Sequence, residues 1–109
     1  MEVIVKCVHP SCVGGICHEA QNGNLTVYFR GDDAIKQFCQ GPEKADTFVE
    51  ELIGKKNLAN ISAITLDLKD LQGLPNTVYH RSEFAHWFLA RELNVPLKVI
   101  NPDGRIDLY

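Results

Sequence analysis

Apolar and polar positions follow two different periods along this chain. The first residues, Val3-Ile4-Val5-Lys6-Cys7-Val8, form a β-branched run that stops at Pro10, and they read as a strand. Asn22-Gly23 separates Cys17-His18-Glu19-Ala20-Gln21 from Asn24-Leu25-Thr26-Val27-Tyr28-Phe29. Asn and Gly both tolerate the positive φ of a type I′ turn, so this spacing predicts a hairpin. Gly14-Gly15 offers a second turn between Cys12-Val13 and Ile16-Cys17, with a flexible loop as the alternative. The opening third thus reads as an antiparallel meander.

After Phe29 the period lengthens. Asp32 or Asp33 caps a short helix in which Ala34, Ile35, Phe38 and Cys39 share one side, and Gly41-Pro42 interrupts it. Pro42 opens a second helix whose stripe is Ala45, Phe48, Val49, Leu52 and Ile53; Gly54 and Lys55-Lys56 end it. Ile64, Leu66 and Leu68 alternate with Ala63, Thr65 and Asp67, the period-two mark of a strand with one buried face. Ser82 then caps a third helix over Glu83 to Leu93, with Phe84, Ala85, Phe88, Leu89 and Leu93 as its core stripe, Trp87 at the margin and His86 toward solvent. Val95 to Ile100 and Arg105 to Leu108 flank Asn101-Pro102-Asp103-Gly104, a closing hairpin.

The resulting order, roughly β-β-β-α-α-β-α-β-β, predicts one α+β domain over residues 1–109, a mostly antiparallel sheet with about three helices on one face. Thr26 to Ala34 and Thr77 to Ala85 share Thr, Val, Tyr, Arg and Ala in register. Either a strand-to-helix unit occurs twice, with Arg30 and Arg81 equivalent, or such junctions simply favour these residues; the second account is preferred, and two copies are too few for a solenoid.

Composition narrows the function classes. The 109 residues are 45% hydrophobic and 23% charged, the balance of an ordinary folded domain. No apolar run reaches the length of a spanning helix, and Glu2 and Lys6 break any secretory pattern at the start, so a soluble, cytoplasmic protein without a membrane partner is expected. Eleven Lys and Arg against fourteen Asp and Glu give a net charge of −3 with no basic block, which disfavours nucleic acid as a partner.

Reactive side chains are densest from Cys7 to His18, where three cysteines and two histidines fall within twelve residues. Cys7, Cys12, Cys17 and His18, with His9 or Cys39 as substitutes, could surround a zinc ion tetrahedrally at about 2.0–2.3 Å, although successive C-x4-C gaps lack the tight paired turns of ordinary zinc modules. A Gly14-Gly15 hairpin would instead place Cys12 and Cys17 about 4.5 Å apart at Cα, at the short end of disulfide geometry. The reading preferred over both is that cysteines beside Val, Ile and Phe are small core residues, so no cofactor is expected. His18 is a poor base for Cys17, because neighbours along a strand point to opposite faces.

The second polar group is His80-Arg81-Ser82, at an expected strand-to-helix junction where exposed N–H groups would attract an anion. A cap, a solvated arginine and a dipole partner at Glu83 explain the same residues. Trp87 is either core or an anchor for a partner. Asp67 and Asp70 lack a third acidic partner at metal-binding spacing. With no phosphate loop, dinucleotide fingerprint or hydrolase elbow, the sequence supports a small non-enzymatic binding protein acting on a protein partner, as an accessory or inhibitory factor, with a homo-oligomer left open. The alternative is a small enzyme, a nuclease or a Cys/His acyl-transfer catalyst, built on His80-Arg81-Ser82 or on the N-terminal Cys/His cluster.

Overall fold

Six strands and two helices make up the described part of a computed structural model, which covers residues 1–8, 14–40, 60–71 and 76–109, with side chains from 81 onward in the last segment. They are β1 (Glu2–Val8), β2 (Gly15–Gln21), β3 (Asn24–Arg30), α1 (Gly31–Gln40), β4 (Ala63–Asp67), α2 (Asn76–Leu93), β5 (Leu97–Ile100) and β6 (Ile106–Leu108), with a 3₁₀ turn at Lys69–Leu71. The radius of gyration is 12.8 Å, close to the ~13 Å expected of a compact chain of this length. The helix expected over 42–53 and the residues Cys12 and Val13 lie outside the described residues. No described helix is long and apolar enough to cross a membrane.

All six strands join one sheet in the order β2-β3-β1-β4-β5-β6. The sheet is mixed and not mostly antiparallel: β3, β1, β4 and β5 run parallel, and only the outermost pairs, β2 with β3 and β5 with β6, are antiparallel. The hairpin at Asn22-Gly23 forms with both residues at positive φ (54° and 78°), as a type I′ turn requires. The meander does not form, because β3 occupies the slot between β1 and β2. At the carboxyl end of β3, Gly14, which leads into β2, approaches Gly31 closely. A Cβ on Gly31 would stand 3.4 Å from the Gly14 Cα, and Gly31 holds φ at +82°. A side chain there would be strained by that backbone conformation and would stand in contact with Gly14.

Alternation places Val3, Val5 and Cys7 of β1, Leu25, Val27 and Phe29 of β3, and Ile64 and Leu66 of β4 on one buried face. Ile4, Lys6, Thr26, Tyr28, Ala63 and Thr65 lie half-buried on the other. Both helices cover the first face. In α1 the buried residues are Ala34, Ile35, Phe38 and Cys39, the stripe its spacing predicts. Phe38 is fully buried between Phe29 of β3, with ring centroids 5.0 Å apart, and His86 of α2, at 6.2 Å. The closing hairpin is present as well, with Gly104 at φ 90° and the buried Asn101 side chain donating to the Arg105 carbonyl and to Asp107, both at 2.9 Å.

The start of α2 departs most from expectation. The helix begins at Asn76, so Ser82 lies inside it and is not a cap. The stretch sharing letters with Thr26 to Ala34 is helical from its first residue, whereas the earlier copy is half strand, so the two are not structural repeats. The buried stripe is also rotated: Ser82, Ala85, His86, Leu89 and Ala90 face inward. Small side chains at three of these five positions let α1 approach closely, and the two polar ones have partners. The Ser82 hydroxyl donates to the Phe38 carbonyl of α1, and His86 Nδ1 donates to the Ser82 carbonyl at 2.7 Å.

His86, expected toward solvent, is 1% exposed. Burial pushes its pKa below 6.5, only partly opposed by the Ser82 hydrogen bond. The neutral ring therefore belongs to the folded state, whereas the unfolded chain binds a proton near pH 6.5. Stability is fully present above pH 6.5 and declines as pH falls below it, by at most about 1.4 kcal/mol per pH unit. Urea unfolding of wild type and His86→Gln between pH 7.5 and 5.5 checks this. The wild-type curve should fall more steeply, and parallel profiles would contradict it.

Candidate functional site: an exposed aromatic face

The rotation of α2 turns two large rings, Phe84 and Phe88, outward on either side of Trp87. Phe84 is 61% exposed and Phe88 51%, although their spacing marks them for the core, while Trp87 is half-buried and packs partly against the core. Positions 84, 87, 88 and 91 fall at i, i+3, i+4 and i+7, which brings their side chains into one strip. The Phe84 and Trp87 rings stack at 6.0 Å and 20°; Phe88 meets Phe84 edge-on at 4.9 Å and Trp87 at 5.4 Å. The Arg91 guanidinium lies 5.2 Å from the Trp87 ring centroid, within cation–π range.

Strand β6 borders this strip. Backbone bonds between Tyr109 and Leu97 extend the β5–β6 ladder by one residue, and the match to the buried Leu97 puts Tyr109 on the helix side of the sheet. Glu83, Phe84, Trp87 and Tyr109 line a shallow hollow of about 330 Å³. Partial burial and the neighbouring Glu83 and Asp107 carboxylates raise the Tyr109 pKa, and the phenol is hydrogen-bonded to Glu83. The surface is thus apolar in the middle with an acid at one end and a base at the other. It can bind a complementary surface by burying rings and pairing its end charges.

The other candidate residues do not gather. Arg81 is exposed, Ser82 is buried with its hydroxyl bonded to α1, and the His80 side chain lies outside the described residues. No strand-to-helix junction exists at Ser82, so the N–H groups expected to attract an anion there are inside a helix. Cys7 is buried on the helix-covered face of β1, and burial above all raises its pKa far beyond the ordinary thiol range. Cys17 sits opposite Tyr28 on the other face, two strands away, and Tyr28 is in register with Lys6 rather than Cys7. His18 is exposed on edge strand β2, and Cys12 lies outside the described residues. Among the described residues no three His, Cys, Asp or Glu side chains are placed to hold a metal. Cys7, Cys17 and Cys39 carry free thiols.

Asp67 ends β4 and is buried, with Lys6 and Lys69 ammonium groups 4.0 and 3.9 Å from Oδ2. Its Oδ1 accepts the Lys69 N–H at 3.2 Å, which turns the chain into the 3₁₀ segment. That structural role accounts for this carboxylate.

Sequence reasoning singled out Trp87 but assigned Phe84 and Phe88 to the core. The signal it passed over is the second stripe of identical period, Ser82, Ala85, His86, Leu89 and Ala90, whose small and polar members are cheap to bury once hydrogen-bonded. No protein-family model, curated protein or solved structure is significantly similar to this chain.

Proposed function

We propose that the chain is a non-enzymatic binding protein that engages a protein partner through the aromatic face of α2. The observation that carries this reading is the exposure of Phe84 and Phe88 beside Trp87 on a helix that had an alternative stripe to present. Contiguous exposed rings of this kind mark interaction sites, and aromatic residues with arginine are the composition of binding hot spots. Tyr109 and the ends Glu83 and Arg91 supply a polar rim around the rings.

A photo-reactive phenylalanine analogue installed at Phe88, compared with the same analogue at the exposed Lys36 of α1, tests the assignment in living cells. Illumination should give a discrete adduct from position 88 that is absent from position 36. Equal labelling from the two positions, or none from 88 in a chain with unchanged circular dichroism, would count against this face.

A further inference from the structure

Resting on that reading, we infer that the partner on this face is a second copy of the chain, docked with its α2 antiparallel about a two-fold axis near Trp87. The strip is self-complementary in a way that follows from its order along the helix. Glu83 lies four residues before Trp87 and Arg91 four residues after it, about 12 Å apart along the axis. An antiparallel copy centred on Trp87 therefore brings each Glu83 to the partner's Arg91 at both ends of the contact, the reciprocity an isologous interface demands. The same rotation lays Trp87 and Phe88 against their counterparts in the middle, where edge-to-face pairs like those within one chain are available.

Charge supports this occupant. The helix strip holds one acid and one base, and Asp107 beside Tyr109 is paired with Arg105 at 3.5 Å, so the face has no net sign with which to select an acidic or basic partner, and its own copy satisfies both ends. Glu83 is already bonded to Tyr109, but a carboxylate accepts several hydrogen bonds and can serve a partner's guanidinium as well. Antiparallel helices also set opposite dipole ends side by side. A face built on partly exposed rings is smaller than the interface of a standard stable pair, so the association is weak and concentration-dependent, with Kd of order micromolar or above.

Sedimentation velocity of the intact chain from about 1 µM to about 1 mM, a span set by that affinity, is the test. Wild type should pass from monomer to dimer. Glu83→Arg and Arg91→Glu should each weaken dimerisation at least tenfold by setting like charges together at both ends. Mixing these two single variants should restore it, because the new arginine at position 83 then meets the new glutamate at position 91 and the native pair meets at the other end. Wild type that stays monomeric throughout, or a mixture no more associated than its components, overturns the inference. In either case a position-88 adduct to a different protein would leave the binding reading intact, and loss of that adduct as well would remove both.

Discussion

Phe38→Ala should destabilise the fold by about 3–5 kcal/mol, the range for deleting a buried phenylalanine and leaving its cavity. The side chain is fully buried and joins three elements, with its ring against Phe29 of β3 and His86 of α2 while its backbone belongs to α1. Collapse into the space would require the helices to shift together, and the hydrogen bond from Ser82 to the Phe38 carbonyl holds their spacing. Urea denaturation reads the effect directly. A loss below about 0.5 kcal/mol, the range of ordinary surface changes, would mean that α1 does not pack as described.

The second large effect is expected at Ser82 and separates two roles for one residue. At a helix N-cap, asparagine serves as well as serine, so Ser82→Asn would be nearly neutral if α2 began there. In the structure Ser82 is fully buried, and a larger amide would have to displace α1 and find partners for one further polar atom. The expected cost is about 2–4 kcal/mol, from overpacking and unsatisfied polar groups together. A melting temperature unchanged within error would return the residue to the capping role.

These two positions also show what the sequence makes visible. A strand's period reports which side chains share a face, so the alternation in β1, β3 and β4 and the inward residues of α1 were legible, as were the turns at Asn22-Gly23 and Asn101 to Gly104, where backbone sterics act within a few residues. The neighbour of each strand was not. Nothing local to Val3-Ile4-Val5 says that its partners are Leu25 to Val27 on one side and Ile64 to Leu66 on the other. The start of α2 was hidden for a different reason: Thr77-Val78-Tyr79 are residues of β propensity, and tertiary packing overrides so weak a preference. The aromatic face was only half legible, because α2 carries apolar residues on two sides and periodicity cannot choose between them. The choice depends on α1, which needs a surface of small side chains where Phe38 and Cys39 come down.

The position of β1 bears on how the chain is made. Its amino end is held by long-range contacts, with the Met1 ammonium donating to the Asn60 carbonyl at 2.7 Å and the Ser62 N–H to the Met1 carbonyl at 2.7 Å. Strand β1 is therefore flanked on both sides by strands synthesised after it, β3 and β4, and its β4 edge stays unpaired until residues 63–67 emerge. Closing a loop of that length before the β1–β4 contacts form slows folding, and for that interval the nascent chain exposes an unpaired strand edge to its surroundings.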